Sequence, residues 1–114
     1  MMKNIDYDPD ADAIAVKIGR EKSYITAELT EHILVDFDDK ERVVGVEILD
    51  ASAELEKIFG RLVSKKEIQQ LLVSITQKPH NEYLLQFKSP QKNQVATLLF
   101  PIYKSPIIEG RSHS

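Results

Sequence analysis

The chain contains no cysteine. Disulfides, thiol catalysis and zinc sites with sulfur ligands are therefore excluded. No apolar run approaches the roughly 18–20 residues needed to span a bilayer as a helix. The opening residues, Met1 to Asp6, lack the apolar stretch of a secretory signal, so a cytoplasmic setting is expected. There is no P-loop, no dinucleotide-binding glycine pattern and no nucleophile motif. His32, His80 and His113 share no metal-ligand spacing and read as ordinary surface histidines. No internal repeat or low-complexity segment interrupts the chain, and no motif asks for a cofactor.

What is there is ordinary globular composition, with 42% hydrophobic and 29% charged side chains over 114 residues. A chain of this size supports one core and not two. The expected organisation is a single α+β domain over 1–108, followed by a mobile tail over 109–114. Charge is unevenly spread. Residues 1–60 hold 7 basic and 15 acidic side chains, and residues 61–114 hold 8 basic and 3 acidic, against a net charge of −3 for the whole. A chain so divided is suited to meeting a copy of itself, or to presenting an acidic face to one partner and a basic face to another.

The first fifty residues read as short strands joined by turns. Ile5 and Tyr7 alternate with Asp6 and Asp8, and Asp8-Pro9-Asp10-Ala11-Asp12 is turn chemistry. Ile14, Val16 and Ile18 share one strand face, with Gly19 to Lys22 as the next turn. Ile25, Ala27 and Leu29 mark a third strand, and Ile33, Val35 and Phe37 a fourth. After a polar loop at Asp38 to Glu41, Val44, Val46 and Ile48 mark a fifth. Gly45 lies in the middle of that fifth strand and predicts a bulge, or a helix packed over it.

Two helices are expected next. Ala51, Leu55, Ile58, Phe59 and Leu62 stand near helical spacing, with Asp50 or Ser52 as N-cap. Ser64-Lys65-Lys66-Glu67 has the form of a capping box. Ile68, Leu71, Leu72 and Ile75 then predict an apolar helical stripe ending near Gln77, before Pro79. A hairpin follows, Glu82 to Lys88 and Gln94 to Tyr103, around a five-residue loop. Its second strand is apolar on both sides, which calls for cover on both. The interface candidates are accordingly Leu84, Val95, Leu98, Leu99 and Phe100, and a second subunit is the natural cover. The expected fold class is α+β: an antiparallel meander of about five strands, two helices packed on one face, and a C-terminal β-hairpin.

Two stretches carry a family resemblance. Tyr7-Asp8-Pro9-Asp10-Ala11-Asp12-Ala13-Ile14 is one. The other is Val35-Asp36-Phe37-Asp38 with Val44-Gly45-Val46-Glu47-Ile48-Leu49-Asp50-Ala51. Together they resemble the DUF2283 family of small prokaryotic proteins without assigned function, over about residues 5–52. Ile14 stands where leucine is common in that family. Residues 53–108, the helices and hairpin, lie outside the resemblance. It further implies a genetic neighbourhood that often includes small toxin-like proteins.

The candidate chemistry is carboxylate chemistry. Asp8, Asp10 and Asp12 form a D-x-D-x-D run like the opening of a calcium loop, but Ala13 and Gly19 stand where that loop needs glycine and glutamate. A looser divalent-metal site would join these to Asp36, Asp38 or Asp39; capped turns are the competing reading. Asp36 and Glu47 are candidates to oppose each other across the hairpin at 39–41. The basic residues Lys65, Lys66, Lys78, Lys88, Lys92 and Lys104, with Tyr83, Phe87, Phe100 and Tyr103, offer a weaker nucleic-acid reading. The leading expectation is a non-enzymatic interaction module: a homodimer that binds a small protein and is antitoxin-like in role. A metal-binding protein or enzyme is the alternative. No membrane partner is expected, and nucleic acid is disfavoured.

Overall fold

The computed structural model describes residues 2–19, 22–79 and 82–101. It contains nine strands and two short helices: β1 (Lys3–Asn4), β2 (Asp6–Asp8), β3 (Ala13–Lys17), β4 (Ile25–Glu28), β5 (Ile33–Phe37), β6 (Val43–Ile48), α1 (Ala51–Phe59), α2 (Lys65–Gln69), β7 (Leu72–Lys78), β8 (Glu82–Ser89) and β9 (Gln94–Pro101). The strands form two antiparallel sheets, ordered β2-β3-β6-β5-β4 and β1-β7-β8-β9. The expected fold class, a five-stranded meander covered by two helices with an appended hairpin, is therefore overturned. The proposed tail at 109–114 and the strand end at Tyr103 lie outside the described residues.

Two features of the chain account for the difference. First, the stripe Ile68, Leu71, Leu72, Ile75 satisfies a helical period, but Leu71, Val73 and Ile75 also satisfy a strand's period of two. The helix ends at Gln69, and Leu72–Lys78 is a strand. Val73, Ile75 and Thr76 are β-branched, which favours the pleated form. Second, alternation identifies strands but not their neighbours. β3 pairs with β6, not with β4, with Ile14 opposite Ile48 and Val16 opposite Val46. The segment after Gly19 crosses to the far edge, giving β3-β6-β5-β4 a Greek-key order. Gly19 supplies the left-handed turn, with φ 73°.

The two sheets share one core. Ile14, Val16, Val35, Phe37, Val46 and Ile48 from the five-stranded sheet join Val73, Leu85, Phe87, Ala96 and Phe100 from the four-stranded sheet. Ala51, Leu55 and Phe59 of α1, with Val63, Ile68 and Leu71, belong to the same cluster. Burying each large side chain contributes roughly 1.5–3 kcal/mol, so this continuous interior is the main source of stability. Leu62, expected on the first helix's apolar face, lies beyond the helix and is 79% exposed.

Gly45 is explained by a close approach, and the bulge falls beside it. Asp36 opposes Gly45 while Phe37 opposes Val43, so Val44 is the extra residue. Among the described residues, the nearest neighbours of Gly45 come from strands and not from a helix. A Cβ there would stand 3.0 Å from Asp36 Oδ2 and 3.4 Å from the Val16 carbonyl oxygen. Gly45→Ala is thus expected to be neutral or mildly destabilising in the native chain. In an Asp36→Ala background it should stabilise by about 0.5–1 kcal/mol, because the added methyl meets no carboxylate and the strand loses glycine's flexibility. Urea midpoints of the four proteins in the double-mutant cycle check this.

Candidate functional site

The aspartates of the sequence pattern do not converge. Asp8 Oδ1 accepts the backbone N–H groups of Asp10 (3.0 Å) and Ala11 (3.3 Å), which closes the β2–β3 turn. Asp10 is exposed at that turn. Asp36 accepts the Thr26 hydroxyl across the β4–β5 pair. Asp38, 4% exposed, accepts the backbone N–H of Lys40 (2.9 Å) and of Arg42 (2.9 Å) and, on Oδ2, Arg42 Nε (2.8 Å). The backbone N–H of Arg42 is the strongest influence holding the Asp38 carboxyl below its usual range; burial opposes it, and the Arg42 side chain and Lys40 N–H reinforce it. Among the described residues, no group of three or more His, Asp or Glu side chains comes together as a metal site would. Asp36 opposes Gly45, and Glu47 opposes Leu34, so the two carboxylates are not cross-strand partners.

Asp12 has a different task. Its carbonyl accepts the Ala51 N–H at 2.8 Å, and its carboxylate accepts the Ser52 N–H (3.1 Å) and hydroxyl (2.8 Å). The first two N–H groups of α1 are therefore capped from forty positions away. Asp50, at the nominal N-cap, adopts a left-handed conformation and makes no side-chain cap. Tyr7 donates its hydroxyl to the same Asp12 carboxylate at 2.7 Å. Burial pushes the Asp12 carboxyl up, but the hydrogen bonds from Tyr7 and Ser52 outweigh it and hold the group below its usual range. Burial, then the Asp12 bond, raises the Tyr7 phenol.

A second polar cluster, hidden from the sequence reading, sits under the β8–β9 turn. Glu67 is 3% exposed. Arg61 grips it with both terminal guanidinium nitrogens, at 2.9 and 2.7 Å, and donates Nε–H to Gln94 Oε1 at 2.7 Å. The Ser89 hydroxyl also donates to Glu67. The last residue of β8 and the first of β9 are thus tied to α2. Only half of the expected capping box forms. Ser64 Oγ accepts the Glu67 N–H at 3.1 Å, but the Glu67 side chain is committed to Arg61 and Ser89. The Arg61 bonds, against the opposing effect of burial, lower the Glu67 carboxyl to about 2 from 4.5. The sequence carried only Ser64-x-x-Glu67 as a signal for this cluster.

The interface candidates divide by face. Leu98 packs against the core, and Phe100 is 3% exposed. Val95 and Leu99 point away from the core and are 52% and 54% exposed. Leu84, cross-strand from Leu99, is half-buried beside them. Of the aromatics, Phe87 is fully buried, and Tyr83 stacks on Phe100 with centroids 6.0 Å apart. Tyr103 and Lys104 lie outside the described residues, as do His80 and His113. His32 is half-buried, with Nδ1 2.9 Å from Glu54 Oε1 on α1.

The architecture defines a class: a two-sheet, almost wholly antiparallel β protein, its helices folded into the shared core. No helix among the described residues is long and apolar enough to cross a membrane. Residues 4–52 match the model of DUF2283, a protein family of unknown function. That segment holds all of the five-stranded sheet and both ends of the Asp12–Ser52 contact, whereas β7, β8 and β9 fall beyond it. Comparison with curated proteins and with solved structures finds no match.

Two stability predictions come from these clusters. Asp12→Ala should cost roughly 1–2 kcal/mol through the lost helix cap, with Asp12→Asn much milder because asparagine keeps an acceptor and tolerates the φ of 52° found there. Denaturant midpoints measure the difference. The Glu67 carboxyl is depressed on folding, so its stabilisation is present above pH 4.5 and is lost as the pH falls toward 2. Glu67→Gln should be destabilised by about 3 kcal/mol at neutral pH. It should also show a shallower fall in melting temperature across that acid window.

Proposed function

We propose that this chain is a non-enzymatic protein–protein interaction module. It acts as a homodimer and engages a second small protein in an antitoxin-like role. The observation that carries the reading is the outer face of the four-stranded sheet, where Val95 and Leu99 lie more than half exposed. Leu84 extends this strip across β8. Apolar side chains grouped on an otherwise polar surface mark sites of association.

The charge division supports the second partner. The acidic half of the sequence builds the five-stranded sheet, and Asp6, Glu47 and Glu28 share one outward row across it, with Asp36 and Lys17 on the next. A basic protein approaching this face gains in encounter rate and orientation more than in final affinity. Its binding should weaken as salt rises.

Sedimentation equilibrium tests the reading directly. The chain should be dimeric at micromolar concentration, and Leu99→Lys should weaken association by roughly tenfold or more. A monomer at that concentration, with no protein retained by the immobilised chain, removes the reading.

A further inference from the structure

We propose that two copies join through β9, each pairing antiparallel with the other about a two-fold axis at Thr97, so that the two four-stranded sheets become one of eight strands. This rests on the homodimer reading above and specifies its geometry.

The four sheet edges are not equivalent. β1 is two residues long and carries Lys3. β2 carries Asp6 and Asp8 in three residues. β4 has four residues and ends in Glu28. β9 has eight residues, Gln94 to Pro101, none of them charged. It keeps an unbroken register with β8 along its whole length. Nothing among the described residues pairs with its other edge.

Strand edges are ordinarily guarded by charge, bulges or brevity, because alternate residues turn unpaired N–H and C=O groups outward. β9 has none of these guards before its final proline. Self-pairing of β2 brings aspartates together, and self-pairing of β4 leaves only a short ladder. β9 alone meets its own copy with a long backbone ladder and no like charges. The second copy is therefore the occupant that this edge fits.

The register follows from the side chains. With Thr97 opposite the partner's Thr97, Val95 faces the partner's Leu99 on the outer side, and Ala96 faces the partner's Leu98 on the inner side. Small side chains then lie beside large ones, and the exposed strip becomes continuous across the axis. Pro101, which has no N–H to donate, falls beyond the ladder. Centring on Leu98 instead places Pro101 opposite Val95. Centring on Ala96 places Leu99 opposite Asn93, a turn residue with φ 50°.

The absence of cysteine makes single-cysteine crosslinking unambiguous. Under mild oxidation of the full chain, Thr97→Cys should form disulfide dimers roughly tenfold faster than Val95→Cys or Leu99→Cys alone, since only the first meets its own mate. An equimolar mixture of Val95→Cys and Leu99→Cys should form the mixed dimer preferentially. Thr97→Lys should sediment as a monomer while keeping the native dichroism spectrum. A dimer without this crosslinking pattern, or one that persists in Thr97→Lys, overturns the β9 pairing and leaves the homodimer reading standing. A monomeric native chain overturns both. Open-ended association into filaments overturns the closed two-fold arrangement.

Discussion

Each sheet in this molecule has one apolar face, and neither helix is large enough to cover a sheet alone. α1 has nine residues and α2 five. The constraint that governs the fold is therefore mutual: the inner faces of both sheets are buried together, with the helices, in one cluster. Leu85, Phe87 and Val73 on one side are fully buried, as are Ile48, Val35 and Ile14 on the other, to within about one percent. The helices fill what remains of the same interior. A chain of this length has no second core to fall back on, so the sheets stand or fall together.

The buried face of nearly every strand can be read from the residues. Ile33, Val35 and Phe37 alternate with the less buried Leu34 and Asp36, and Ile14 and Val16 with Ala13, Ala15 and Lys17, because one side meets the core and the other faces outward. Which strand lies beside which is not written in that alternation, since any apolar face suits any other. The β3–β6 pairing instead depends on where the chain crosses after Gly19. The stretch from Ile68 to Ile75 is ambiguous for another reason: leucines and isoleucines stand at positions that satisfy both periods. Tertiary burial of Val73 on the inner face of the sheet resolves it.

The candidate site was legible in parts. Val95 and Leu99 stand out because β9 is apolar on both faces, but the same pattern brings in Leu98 and Phe100, which serve the interior. The aspartates looked like ligands by spacing alone. Their actual partners are backbone N–H groups close by in sequence for Asp8 and Asp38, and distant ones for Asp12. A carboxylate in a turn offers the same atoms to a metal and to an amide, and only the fold decides which arrives. Arg61, Gln94 and Ser89 gave no sign at all, because a cluster assembled from three separate segments leaves no spacing to read.

The pairing of Lys3 and Asn4 with Val73 and Leu72 has a consequence for assembly on the ribosome. All strands of the five-stranded sheet, and the Asp12 contact with the start of α1, are available once residue 52 has emerged, but the sheet's apolar face is still uncovered. β1 must then wait a further twenty or so residues of synthesis for a neighbour some seventy positions away from it. The earliest-made strand is thus among the last to be docked, and closing that long loop belongs to the slow end of folding. A nascent chain halted midway would hold every strand of the acidic sheet with its greasy side still wet, a form in need of chaperone shelter until the later strands arrive.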